Sequence, residues 1–564
     1  MWNNQMFRLF FVAIIIVTPL ANALANQQLM DGLGEEMLRT MKQLSKEEIT
    51  PYYIAYNVTT LKKVNISVRN GKITSSNSDK NRILDIDLRV GDYKFDNTHI
   101  IRGNPIQFNF SGGAIQLPLD NNINGIQNII WNATDRRYRA GVERIKKAQT
   151  NQAVKVTEED ISPDFSIEKP TTYTGETKDF EVDIKSWENK LRKISEKFIK
   201  YPWILTNAIY LQTEIQERVF INTEGSKMSW YETNCRLFVN ASTKSDDGMT
   251  LPLYRSYFAF TPDGLPTAEL IGKDIDAMIT LLGNLRNAPM AETYSGPAIL
   301  SGEAAGVFFH EIYGHRVEGH REKDPNSSQT FKNSVGKAIM PDFISIVFDP
   351  TKKILNGTDL SGFYEYDNEG VKSQKVTSVE HGIFSNFLMG RSPIENFPHS
   401  NGHGRSQAGY NPVSRQSNLI VEAERQVSND SLINLLKAEI IKQNKEYGLY
   451  FEEVSGGFTF TARTIPNAFN VTPLVVYKIF ADGRPKQLVR GVDFIGTPLT
   501  TFKNIIAAAN DMGIFNGICG AESGGVPVAA CSPSLLISTI EVQKKQKSQA
   551  KPPILPAPAV IENY

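Results

Sequence analysis

An α+β fold in two domains is what this sequence predicts, and three observations carry it. The chain has 564 residues, more than one hydrophobic core accommodates. Its first half interleaves helix-spaced apolar runs with strand-like ones. Its second half is rich in glycine, β-branched residues and short alternating segments, and the pattern changes around Ala288 to Pro297. Just past that change, a helix-compatible segment holds three of the seven histidines within eleven residues. The expectation is an N-terminal α/β domain with a mixed sheet at 26–290 and a β-rich domain at 291–545 carrying a distorted metal-binding helix.

The elements follow in order. Arg8 precedes the apolar run Leu9 to Pro19, and Ala23-Leu24-Ala25 fits a small-x-small cleavage site, so residues 1–25 read as a signal peptide. The run is shorter than the roughly 20 apolar residues a membrane span needs, so cleavage is expected rather than anchoring. No later stretch is long enough to span, and the chain is expected to be exported, periplasmic or secreted, with no stable membrane span. Leu29, Leu33, Met37, Met41 and Leu44 then mark an amphipathic helix, and Tyr52–Val58, Val64–Val68 and Ile83–Val90 read as strands. Residues 141–177 are polar and weakly patterned, which suggests loop with some helix. A helix is expected from Ile184 to Phe198, strands at Arg218–Ile221, Lys227–Asn240 and Leu253–Phe260, and a helix from Pro266 to Leu282. In the second half, Ile344–Phe348, Leu419–Val421, Gly457–Thr461 and Leu474–Phe480 read as strands. Helices are expected after Ser301, at Ser431–Lys442 and at Phe502–Ala509, the last preceding a loop with Cys519. The Pro- and Lys-rich tail 546–564 is expected to be disordered.

Charge excludes one class of function. With 61 basic and 61 acidic residues and no long block of either sign, the chain lacks the electrostatic footprint of a nucleic-acid binder. Cys235, Cys519 and Cys531 are an odd number, so no disulfide framework holds this fold together.

The histidine segment runs Gly306-Val-Phe-Phe-His310-Glu311-Ile-Tyr-Gly-His315-Arg-Val-Glu318-Gly-His320. Imidazole is a common zinc ligand, and a carboxylate beside the metal can take the proton of an activated water, so the run points to a metal-dependent hydrolase. Ser301 can cap the helix, with Glu303 in its first turn. Spacing predicts a distortion. Two histidines five apart lie about 140° apart around a regular helix and cannot face one ion, so the helix must bulge or unwind near Gly314. His320 repeats the five-residue step and reads either as a further ligand or as a substrate contact or support for the ligands. His381, His399 and His403 carry less signal. Cys519, between glycines, reads either as a soft metal ligand or as half of a disulfide with Cys531, and composition alone favours the disulfide.

Together with Tyr366-Asp-Asn-Glu-Gly370, Arg415-Gln-Ser-Asn418, Gly456-Gly457 and Gly517-Ile-Cys-Gly-Ala-Glu-Ser-Gly-Gly-Val-Pro-Val528, this segment resembles the TldD/PmbA metallopeptidases, on the motif-bearing TldD-like side. The resemblance spans roughly Ala25 to Val542, and a His-Glu-x-x-x-His motif is one of its hallmarks. It implies His310, His315 and Cys519 as ligands of one zinc per chain and Glu311 as general base. It further implies unfolded or extended peptides as substrates, and a dimer, homomeric or with a family paralogue. Glu318, His320, Arg415, Asn418, Gly456 and Gly457 are carried as substrate contacts or supports of the metal ligands. Two departures stand out: His320 occupies a position where many relatives are acidic, and a signal peptide is expected here whereas the familiar members are cytoplasmic. The competing readings are an inactive scaffold of the same fold and an exported β-rich binding or assembly protein with a structural zinc.

Overall fold

A computed structural model describes residues 26–101, 114–153, 160–459, 469–495, 498–545 and 551. Residues 1–25, where a signal peptide is expected, and all but one residue of the 546–564 tail lie outside them.

The first half is built on a seven-stranded sheet with two very long hairpins, Pro51–Arg69 with Lys72–Val90 and Thr206–Asn222 with Lys227–Lys244. The sequence suggested shorter, separate strands because polar stretches such as Lys62-Lys63 interrupt the apolar alternation. In fact the two faces have different neighbours. Ile54, Tyr56, Val58, Val64, Ile66 and Val68 share one face by their even spacing. Those residues pack on helices 26–44, Ile123–Ala153, Ile184–Ser195 and Ala268–Asn287. The opposite face, with Leu61, Lys63, Glu232, Asn234 and Arg236, looks onto the second half across a cleft of ≈ 350 Å³. Among the described residues only the short strand Thr172–Thr174 joins the sheet in parallel, which makes it mixed.

The second half holds an eight-stranded sheet and a six-stranded sheet. Tyr294–Leu300, Tyr447–Thr459 and Phe469–Phe480 lie near the centre of the first. The second runs from Ile383–Phe384 through Ile344–Phe348 and Asn418–Ala423 to the hairpin Gly524–Ser532 and Gly513–Ala521 at its edge. Helix Gly302–Ile312 lies in the core that both sheets share.

Residues 123–153 form one 31-residue helix; its end from Gly141 is the helix expected within 141–177, and its earlier part leaves little periodicity because only a few side chains, among them Ile126, Ile130 and Ile145, are buried. Three expectations are corrected. Residues Phe502–Ala509 are not a helix: a short helix ends at Lys503 and Ile505–Ala509 is a strand. That apolar run pairs with Gln426–Val427 on one side and Leu535–Ile537 on the other, and periodicity cannot separate so short a buried strand from a helix. Pro266 precedes its helix rather than opening it, because the Thr267 side chain caps Ala268–Asn287. Cys519 stands in a strand, not a loop. Among the described residues no helix is long and apolar enough to cross a membrane.

Candidate metal centre

Helix Gly302–Ile312 starts where the Ser301 side chain accepts the Ala304 N–H and donates to the Glu452 carbonyl. Gly302 and Gly306, one turn apart, allow its backbone to touch the Cys519 hairpin. A Cβ at either would fall 2.5 Å from the Ser532 carbonyl oxygen or 2.7 Å from that of Ala530. His310 follows Gly306 by four and so projects from the same face, toward the hairpin.

The helix then ends, as the spacing required. Tyr313 follows its last residue, and Gly314–Arg316 form a single 3₁₀ turn. The change of winding swings His315 back toward His310, with ring centroids 5.0 Å apart. Gly314 is needed for a reason the sequence did not show. It has no positive φ, but a Cβ there would sit 1.8 Å from Gln416 Oε1. Gln416 in turn donates to the His310 carbonyl at 3.2 Å, and Arg316, fully buried, caps the carbonyls of Glu311 and Ile312.

Cys519 arrives from the hairpin edge. Strand alternation sends Ile518 outward, half exposed, and turns Cys519 inward with Val526 and Val528. The donor atoms of His310, His315 and Cys519 all lie within 4.8 Å of one another, and all three residues are buried. Cys519 Sγ is 3.3 Å from His315 Nε2. Two imidazoles and a thiol are a zinc donor set with room for a fourth ligand. Burial without a partner at His310 Nδ1 and Glu311 Oε2 also fits a centre that takes a cation and a reacting group. The Cys519–Cys531 disulfide is excluded, since all three cysteines are free and the hairpin register sets Cys531 opposite Ile514, not Cys519.

Burial alone would raise the Cys519 thiol, but His315, His310 and Arg415 outweigh it and hold it well below its usual range. Burial would likewise lower His315, yet the Cys519 thiolate and Glu318 hold it well above normal. A metal bound here must displace that imidazole proton. Burial, reinforced by Cys519, raises the Glu311 carboxyl, against the opposing effect of both histidines and of the Gly457 N–H, which donates to it. Irregular pairing between Val454 and Gly457 in strand Tyr447–Thr459 bends it there.

The remaining singled-out residues divide. Glu318 is fully buried, its Oε2 3.2 Å from His315 Nδ1. Arg415, also fully buried, donates to the Cys519 carbonyl at 2.6 Å and to Ser523. His320 lies outside the three-residue cluster and pairs instead with Glu522. Asn418, buried, donates through its amide nitrogen to the carbonyls of Asp349 and Lys352 and so braces that turn. A Cβ at Gly456 would meet nothing within 4 Å. Gln416, Arg321 and Glu522 were not singled out, although Gln416 and Glu522 stand inside the motif blocks. The cleft between the halves reaches the hairpin at Ile518 and Pro527, on the face opposite Cys519.

Comparison with known proteins finds likeness in the second half and in the fold. Residues 293–544 match the model of the PmbA/TldA metallopeptidase C-terminal domain. A metalloprotease of Methanothermobacter thermautotrophicus is 26% identical over 340 residues, 59% of this chain and 68% of that protein. A zinc metalloprotease TldD homolog of Saccharolobus solfataricus is 24% identical over 259 residues, 45% of this chain and 53% of that one. The chain thus spans about half to two thirds of the length of such curated relatives. TldE of Thermococcus kodakarensis shares the fold with a TM-score of 0.57 at 14% identity, covering 90% of this chain and 100% of that one. By this match and these relatives, the second half of the chain, residues 293–544, belongs to the TldD/PmbA family.

Proposed function

We propose that the chain is a zinc-dependent peptidase that hydrolyses unfolded or extended peptides, with Glu311 as general base. The observation that carries the reading is the convergence of His310, His315 and Cys519 beside a buried carboxylate with an unpartnered oxygen. These three residues would hold one zinc, which when bound supplies Lewis acidity toward a scissile carbonyl and lowers the pKa of a water. Glu311 Oε2 is the atom free to take the proton of the attacking water and to return it to the leaving amine.

Extended substrates suit the strand that carries Gly457. Strand Tyr447–Thr459 pairs with Tyr294–Leu300 only over Leu449–Phe451, and beyond that it has one strand neighbour among the described residues, Phe469–Phe480. Ser301 and Tyr254 already hold the Glu452 and Val454 carbonyls, and a peptide laid along the strand beyond Val454 would gain main-chain hydrogen bonds whatever its sequence. We further propose export through the N-terminal segment and a dimer, homomeric or with a paralogue, in keeping with the shared TldE fold.

The test is cleavage of a denatured protein and of its folded form by the purified chain. Cleavage of the unfolded form only, abolished by a chelator and restored by zinc, is the expected result. Loss of zinc without effect on cleavage would refute the reading, and a zinc-loaded chain that cleaves nothing would favour the structural-zinc alternative.

A further inference from the structure

Two segments far apart in the chain bring the three donors together, and a set of buried charges ties the segments to each other. Glu318 is the hub. Its Oε2 accepts from His315 Nδ1 at 3.2 Å and from Arg321 Nε at 2.9 Å, while its Oε1 lies 3.4 Å from Arg415 Nε. Arg415 reaches the other segment, donating to the Cys519 carbonyl at 2.6 Å, to Ser523 Oγ at 2.7 Å and to the Gly524 carbonyl at 3.1 Å. Arg321 makes a second crossing to Glu522 at 3.0 Å, and His320 a third to the same carboxylate. Glu318 and Arg415 are both fully buried.

Resting on the zinc reading above, we propose that Glu318 and Arg415 form a positioning clamp that assembles the ligand set before the metal arrives. Two features support it. Glu318 faces Nδ1 of His315, which leaves Nε2 as the atom turned to Cys519, so the carboxylate selects the ligating nitrogen and holds the ring's orientation. Arg415 anchors the Cys519 backbone from the side of Glu318, so the hairpin and the 3₁₀ turn are held in one register. Each residue alone would be an expensive buried charge; together they form a buried ion pair at 3.4 Å, and the hydrogen bonds that each makes to its own segment give the link its direction. The guanidinium fork matters, because its two terminal nitrogens donate to Ser523 and to the Cys519 carbonyl while its Nε edge faces the Glu318 charge, and an ammonium cannot reproduce that geometry.

The experiment measures zinc affinity by chelator competition, and the absorption spectrum of the cobalt-loaded protein, for wild type, Glu318→Ala and Arg415→Lys. Each variant is expected to bind zinc roughly 10–100-fold more weakly, with a shifted thiolate-to-cobalt band and retained secondary structure. Wild-type affinity and spectrum in both variants would overturn the clamp while leaving the zinc site standing. A wild-type chain that binds no zinc would overturn both. A readout independent of variant folding is nitrogen-15 NMR of histidine-labelled, zinc-loaded wild type. A proton on Nδ1 of His315 with metal on Nε2 supports the clamp, and metal on Nδ1 overturns it.

Discussion

Cys519 Sγ lies 3.3 Å from His315 Nε2, a contact that joins residues 204 positions apart. No local motif contains this centre. The helix that unwinds after Ile312 supplies one half and the edge hairpin of the six-stranded sheet supplies the other. Replacing the sulfur should therefore damage metal binding without touching the His-Glu segment. In Cys519→Ser, zinc affinity is expected to fall by more than the roughly 10–100-fold typical of removing an outer partner of a ligand. Titration against a chromophoric chelator measures it; full occupancy at wild-type affinity would remove Cys519 from the ligand set.

Gly314 offers a test of the unwound turn. A methyl group there meets Gln416 Oε1 at 1.8 Å, and Gln416 also supports the His310 carbonyl. Gly314→Ala is expected to cost about 1–3 kcal/mol of stability through overpacking and to weaken zinc binding. Denaturant melts and zinc titration on the same preparation check both. Unchanged values would mean that the turn adapts freely.

His403 gives a pH dependence away from the metal. Burial pushes its ring down to about 3; the Asn401 carbonyl works against that, and the nearby Arg405 charge adds to it. The unfolded chain takes the proton near 6.5, so below that pH the unfolded state binds more protons and stability falls on acidification. The loss grows from about pH 6.5 toward about 3 and then levels. His403→Gln should flatten the stability-against-pH curve in that window relative to wild type, as read by denaturant unfolding at several pH values. Parallel curves would show that His403 titrates normally in the folded chain.

What the sequence revealed, and what it hid, follow from the range of the interactions. The helix after Ser301, its forced distortion and the strands Ile344–Phe348 and Asn418–Ala423 were legible, because capping and periodicity are local. The place of Cys519 in the cluster came from resemblance, since its spacing from His315 carries no geometric information. The reason for Gly314 was hidden because Gln416, which occupies the space, lies in a distant segment. The polar face of the first sheet looked like interrupted strands because its partner is the other half of the chain.

The most direct test of the central claim is Glu311→Gln, assayed for zinc content and for cleavage of an unfolded protein in the same sample. The amide keeps the size of the side chain but cannot accept the proton of the attacking water. Zinc should remain at the wild-type level while turnover falls by roughly 10²–10⁴-fold. A variant that holds its zinc and cleaves at the wild-type rate would contradict the assignment of Glu311 and the mechanism built on it.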